Sequence, residues 1–339
     1  MALTIRQARR TRRMPRATIT GISGGGKTMT ALYFLHACIT RDDLGVVGKN
    51  ILYLDTEKNS ASLYSSDYDE QGNALPTDLS DPQNPKFNFL DVDVIEETGG
   101  DFALDWLSRQ LKWLRTEGIE KHGIGALALD SLSHFWFANG GALDEVETVA
   151  KAKYKGDTYR AWGDVTPKVN NVIDEIIALP IPVIVSVRSK HAYERTETTS
   201  NGRTKTTIAR VGDAPVFRRD LLYEFDVAFS MVPDDDGGVL LTVDKTRYSP
   251  WAGVVKKNPN HEFFAEYLDW LAGAAGQAAH PYYYGNGEEI PSDKVSARRV
   301  FSQYVTAHDG SVPETKEILM SWYGANSNEA AAKDSASTA

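Results

Sequence analysis

Cysteine is almost absent. Cys38 is the single one in 339 residues, so no disulfide can close within the chain, and a reducing, cytoplasmic setting is expected. Long hydrophobic runs are missing too: none approaches the ~20 residues a membrane-spanning helix needs. The arginines near the start are not followed by an apolar stretch, so they do not read as a secretory signal. Seven histidines show no metal-ligand spacing, and Ser131, Ser133 and His134 have no nucleophile elbow around them, which leaves no signal for a zinc centre or a Ser–His hydrolase. Excess positive charge is also lacking, for the net charge is −9. Any nucleic-acid contact must therefore use segregated patches. Two exist. Residues 6–16 hold Arg6, Arg9, Arg10, Arg12, Arg13 and Arg16 with no acid among them, and a second basic stretch runs from Arg188 to Arg219.

What is present is a complete phosphate-binding loop. Residues 21–28 read Gly-Ile-Ser-Gly-Gly-Gly-Lys-Thr, the pattern G-x-x-x-x-G-K-[ST]. The apolar residues around Ala17 and Ile19 predict a strand before it, and the pattern from Thr28 to Thr40 predicts a helix after it, with Met29, Leu32, Tyr33, Leu35, His36 and Ile39 on one side. The glycines let backbone N–H groups turn inward toward phosphate oxygens, and the helix N-terminus adds its partial positive charge. Gly21, Ser23, Gly24, Gly25, Gly26, Lys27, Thr28 and Met29 are the candidate nucleotide-binding residues. Lys27 would reach the β- and γ-phosphates, and Thr28 would hold Mg²⁺.

Strand-length apolar runs recur along the chain: Asn50–Asp55, Phe87–Ile95, Ile124–Asp130, Val183–Val187, Glu224–Met231 and Val239–Val243. Helical periodicity marks 102–117, 165–179 and 263–272. Residues 65–86 read as a surface loop, 138–158 as mobile or partner-dependent, and 190–215 as a stretch with little apolar pattern. Alternating strands and helices predict an α/β fold with a mostly parallel twisted sheet and helices on both faces. Ligands in such sheets sit beyond the C-terminal strand ends, where the glycine loop, Glu57, Asp130 and the residues after Val187 all fall. The expected organisation is a basic arm at 1–14, an ATPase core at 15–273, a linker at 274–291, a small helical module at 292–324 and a disordered Ala/Ser-rich tail at 325–339.

Asp130 closes a buried strand and is the candidate Mg²⁺-orienting carboxylate. Glu57, two residues past the second strand, is placed to orient or deprotonate a water. Leu54-Asp55-Thr56-Glu57 resembles the catalytic-glutamate motif of RecA-type ATPases. The resemblance implies that Glu57 is the catalytic base and that it follows the strand next to the P-loop strand. It also places Ser186 and Arg188 where RecA-like proteins carry a polar γ-phosphate sensor. Tyr223-Glu224-Phe225-Asp226-Val227 and Asp244-Lys245-Thr246-Arg247-Tyr248 are similar to a phage-encoded family of RecA-like nucleotide-binding proteins that includes single-strand annealing recombinases. Lys245 and Arg247 resemble the finger that reaches into a neighbouring subunit's site. At i and i+2 they would share one side of a strand.

The resemblance covers residues 15–270. It implies ATP and Mg²⁺ as ligands, a homo-oligomer (ring or filament), single-stranded DNA and a phage single-strand-binding protein as partners, and the cytoplasm of a bacterial host. DNA would lie on residues 132–160 and 188–219. The candidates in the second stretch are Arg188, Lys190, Arg195, Arg203, Lys205 and Arg210, with Tyr193 and Phe217 to stack on bases. The first offers Lys151, Lys153, Lys155, Tyr154 and Tyr159. The arginine arm suits either DNA contact or subunit docking. A DNA-recombination ATPase is the leading expectation. A helicase- or loader-like motor acting on duplex DNA or protein, and a slowly hydrolysing nucleotide-dependent regulator, remain open beside it.

Overall fold

A computed structural model describes residues 13–200, 203–218, 221–234 and 237–279, and for 190–200, 203–214 and 274–279 the backbone alone. Nearly all of the expected arm, the module at 292–324 and the tail lie outside the described residues. Backbone contacts divide the chain into two units, one of them Met14–Leu268.

In chain order the elements are β1 (Arg16–Gly21), α1 (Lys27–Ile39), β2 (Asn50–Asp55), β3 (Leu90–Asp93), α2 (Val94–Thr98), α3 (Leu104–Trp113), α4 (Ile119–His122), β4 (Ile124–Asp130), α5 (His134–Phe137), α6 (Ala142–Lys153), α7 (Thr158–Ala178), β5 (Val183–Ser200), β6 (Arg203–Pro215), α8 (Leu221–Glu224), β7 (Val227–Pro233), β8 (Val239–Lys245), β9 (Val255–Lys257) and α9 (His261–Ala279). The sheet order is β3-β2-β4-β5-β1-β7-β8-β9, with β6 paired to β5. Strands β3 through β7 are parallel, whereas β8, β9 and β6 join antiparallel. The expected α/β core with a mostly parallel sheet is present.

Strand alternation divides the side chains between two faces. Leu52 and Leu54 of β2, Leu127 and Leu129 of β4 and Val183, Val185 and Val187 of β5 join one apolar cluster with Leu104, Leu107 and Leu111 of α3 and Val165, Val169 and Ile176 of α7. The opposite face of β4 carries only Ala126 and Ala128 between its ends, both buried. Their small side chains leave room for α1, whose Leu32, Phe34 and Leu35 are fully buried.

Several expectations need correction. β2 is not beside β1, because β4 and β5 lie between them. The sequence neighbour is displaced because each parallel crossover was free to place its strand elsewhere in the sheet. The expected strand at 87–95 is shorter and gives way to α2, where the Asp93 carboxylate caps the N–H groups of Ile95 and Glu96. Residues 138–158 are not a loose loop. They hold α6, which buries Ala142, Val146 and Ala150. α7 begins at Thr158, capped by Asp157, and continues through Pro167. Its buried stripe Ala161–Val165–Val169–Val172–Ile176 outweighs the one backbone bond that proline forgoes. Residues 190–200 and 203–215, expected to carry little pattern, form a long antiparallel ribbon of β5 and β6. Finally, α9 runs to Ala279, where a linker was expected from residue 274.

Candidate active site

The loop between β1 and α1 turns on glycine. Gly24 and Gly26 sit at φ +76° and +80°, a left-handed conformation that side chains resist. A Cβ on Gly21 would lie 2.6 Å from the carbonyl oxygen of Met231, and one on Gly26 would meet Val239 at 2.9 Å. The loop is thus seated directly on the β7–β8 hairpin.

Lys27 is buried, and its ammonium donates to the carbonyl of Ile22 at 2.9 Å. Burial lowers its pKa from the ordinary lysine value. Asp130 and Glu57 oppose that shift, and Arg188 adds to it. A cation desolvated this far, with a single protein acceptor for three N–H donors, is suited to receive phosphate oxygens.

Asp130 ends β4 and is almost wholly buried. Its carboxylate accepts hydrogen bonds from three hydroxyls: Thr28 Oγ1 at 2.9 Å, Tyr53 Oη at 2.5 Å, and Ser186 Oγ. Register explains the convergence. Ala128 of β4 pairs with Tyr53 on one side and Ile184 on the other, so Tyr53, Asp130 and Ser186 emerge on one face of three adjacent strands. Burial, followed by the charge of Asp130, pushes the Tyr53 phenol well above its ordinary pKa, which keeps it a donor. Mg²⁺ commonly takes one or two protein oxygens and completes its shell with water and phosphate. The adjoining Thr28 hydroxyl and Asp130 carboxylate are hard oxygen donors of that kind. Tyr53 had no signal in the sequence motif. The clue was a hydroxyl two residues before Asp55 in an otherwise apolar strand.

Glu57 follows β2 on a fixed turn. Its N–H donates to Asp55 Oδ1 at 2.5 Å, and the second Asp55 oxygen accepts from Ala61 N at 3.1 Å. Asp55 is fully buried, and desolvation raises its pKa despite these two bonds. The neighbouring Thr56 donates its N–H to the carbonyl of Asp130 at 2.6 Å, while its hydroxyl accepts from Ser131 N at 2.7 Å and meets His134 Nδ1 at 2.5 Å. Burial and then the Arg188 cation lower the His134 pKa, so the ring is neutral at pH 7.

The Glu57 side chain pairs with Arg188, whose Nε lies 2.8 Å from Oε1. Arg188, expected both at the sensor position and among the DNA contacts, therefore stands at the site itself. The elements thus bring Lys27, Thr28, Glu57, Asp130, Ser186 and Arg188 together from the ends of β1, β2 and β4 and from the part of β5 that pairs with β1.

The two finger candidates are elsewhere. Lys245 is the last residue of β8, opposite Ala228, which in turn pairs with Thr18. It lies about 10 Å back along β1 from Gly21, taking ~3.3 Å per strand residue. Its ammonium donates to the carbonyls of Leu222, Tyr223 and Phe225 at 2.7–2.8 Å. Arg247 is exposed and lies beyond the strand, so the two cations do not share a strand face.

Among the nucleic-acid candidates, Lys190, Arg195, Arg203, Lys205 and Arg210 occupy backbone positions in the β5–β6 ribbon. Phe217 is not available for stacking, since it is buried against Trp136 with ring centroids 4.9 Å apart. On the α6 side, Lys151 pairs with Glu147 and Lys153 with Asp164, and Tyr154 donates to Asp164. Tyr159 is exposed. Among the described residues no helix is long and apolar enough to cross a membrane.

A family model described as an AAA domain matches residues 13–250. None of the curated proteins matches. Among solved structures, the crystal structure of the RadB recombinase aligns over 71% of this chain and 84% of that chain, at 15% identity and a TM-score of 0.36. That degree of likeness adds nothing to the topology read directly from the sheet.

Proposed function

The chain belongs to the AAA-domain family, whose model spans residues 13–250, and from that premise we propose that it is a Mg²⁺-dependent, RecA-like ATPase that acts on single-stranded DNA as a homo-oligomer. The observation that carries the reading is the meeting of a desolvated lysine, a hydroxyl–carboxylate pair and a held glutamate at one end of the sheet. Lys27 and the loop N–H groups bind the phosphates. Thr28 and Asp130 would hold and orient Mg²⁺, which would supply charge neutralisation on the phosphate oxygens. Glu57 orients the attacking water. Its oxygen bonds to the γ-phosphorus, its proton passes to Glu57, and the bond from phosphorus to the β–γ bridging oxygen breaks.

Two further features support an assembly on DNA. The ribbon carries Lys190, Arg195, Arg203, Lys205 and Arg210 against Glu194, Glu197 and Asp213, a net positive stretch in a chain of net charge −9, and backbone-tracking cations are what a single strand requires. Arg247 is exposed at the end of β8 away from its own P-loop, so its guanidinium would serve a neighbouring subunit's nucleotide. Lys245 would join it only by leaving its three carbonyls.

The test is ATP turnover with and without single-stranded DNA, for wild type and Lys27→Ala. Stimulation by single strands in the wild type alone supports the reading. Stimulation by duplex or protein only points to a loader-like motor, and tight nucleotide binding without turnover points to a regulator. Mixing Arg247→Ala with Glu57→Ala subunits should restore part of the activity. No recovery would count against a shared site.

A further inference from the structure

Aromatic side chains gather at the foot of the ribbon. Strand β6 ends at Pro215, and Val216 N then donates to the carbonyl of Arg188 at 2.7 Å, which ties the chain back to the core sheet. The next residue, Phe217, is buried, with its ring centre 4.9 Å from that of Trp136 on α5. Trp136 in turn stacks on Trp162 of α7, with ring centres 5.5 Å apart and planes 27° from parallel. Both indoles are only partly buried, and they pack against the apolar cluster that β2, β4 and β5 share with α3 and α7.

Beside the two indoles is a cavity of about 260 Å³, lined by Trp136, Trp162, Thr166, Val169 and Arg218. Trp162, Thr166 and Val169 stand at i, i+4 and i+7 of α7, so one side of that helix makes a continuous wall. Arg218 arrives from the ribbon side, and its Nη1 donates to Asn170 Oδ1 at 2.6 Å. The volume is below the ~300–1,000 Å³ that drug-sized ligands fill, so the cavity suits a single ring system. Indole surfaces favour a flat aromatic group, and the guanidinium favours one that carries an anion. A base with its phosphate meets both demands. The net positive ribbon that leads into Arg218 is where a strand of such units would run.

We propose that this cavity is a nucleobase pocket, taking one base of a single strand against Trp136 and Trp162 while Arg218 meets an adjoining phosphate. The inference rests on the single-strand reading above. It adds that α5 and α7 supply the stacking surface that the cations of the ribbon lack.

The experiment measures the affinity of the full chain for labelled oligo-dT and for an abasic strand of the same length, over a range of salt. It compares wild type, Trp162→Ala, Trp162→Phe and Arg218→Gln. Trp162→Ala should weaken oligo-dT binding about tenfold, inside the roughly 5- to 150-fold that one stacked base is worth, and leave the abasic strand unaffected. The slope of log affinity against log salt should stay as in wild type, because no phosphate contact is lost. Arg218→Gln should weaken both strands and reduce that slope by about 0.7. Trp162→Phe keeps a smaller ring and should lose a few-fold on oligo-dT alone. Equal loss on both strands in Trp162→Ala, or loss on neither, would overturn the inference. If Trp162→Ala fails to fold, the same two outcomes in Trp162→Phe overturn it instead. An unchanged salt slope in Arg218→Gln would overturn the phosphate contact. A wild type that binds neither strand sinks the single-strand reading itself, whereas tight oligo-dT binding indifferent to Trp162 sinks the pocket alone.

Discussion

Two lysines at opposite ends of the central strands have contrasting surroundings. Lys27, at the P-loop end, is buried with one carbonyl acceptor, from Ile22. Lys245, at the other end, gives its ammonium to three carbonyls around the end of α8. Both have pKa values lowered, first by desolvation. In Lys245 the donors are spent on closing a helix end, which cations near a C-terminus favour. In Lys27 two of three donors are left for a ligand. A cation in a resembling motif can thus be structural or functional, and the number of satisfied donors tells them apart.

The largest effect that could break this contrast is Lys27→Ala. Nucleotide turnover should fall by at least ~100-fold, as when one positioned transition-state donor is lost. The ligand-free protein should nevertheless melt at a higher temperature, because a desolvated charge has been removed. The sign follows from linkage. The folded pKa of Lys27 lies below the unfolded one, so its burial is a full cost at neutral pH, and stability recovers only as pH rises from the lowered pKa toward 10.5. A melting temperature below wild type would show that Lys27 is as well satisfied as Lys245.

Lys245→Met is the converse. Removing the donor from three carbonyls that are part-buried or exposed should cost about 1 kcal/mol in denaturant unfolding. Unchanged stability with lost turnover would make Lys245 a finger after all.

Tyr53→Phe removes one of the three hydroxyls on Asp130 and should cost about 1 kcal/mol. The Mg²⁺ concentration needed for half-maximal turnover should shift a few-fold. No change in either would mean that Thr28 and Ser186 suffice to hold the carboxylate.

The smallest effect concerns Asp91, whose pKa is raised to about 6 by desolvation and by Asp55 and Asp93. The folded state holds this proton more tightly than the unfolded one, so stability falls as pH rises from about 4 through about 6. Asp91→Asn should flatten that slope in thermal melts across the same range.

The P-loop, Asp130 and the strand before each were legible because they depend on contiguous residues. Glycines must stand where the backbone turns left-handed, and a carboxylate must follow a buried run. Glu57 was legible as a residue at a strand end, but its strand was assigned the wrong neighbour, since strand order is not written in local periodicity. The ribbon read as patternless because its polar β-branched residues carry no apolar alternation. α6 was missed because alanine and lysine form helices without a strong apolar stripe, and only packing of Ala142, Val146 and Ala150 reveals the buried side.

Local pattern alone therefore established a phosphate-binding loop on an α/β core with carboxylates beyond the strand ends. Backbone conformation and burial periodicity are short-range constraints and leave their mark within a few residues. The fold decided the partners: Tyr53 and Ser186 on Asp130, Arg188 on Glu57, and Lys245 on its own helix end. Those contacts join residues from about 20 to 130 positions apart. They follow from which strands lie side by side and in what register, and chain connectivity leaves both free until the sheet is assembled.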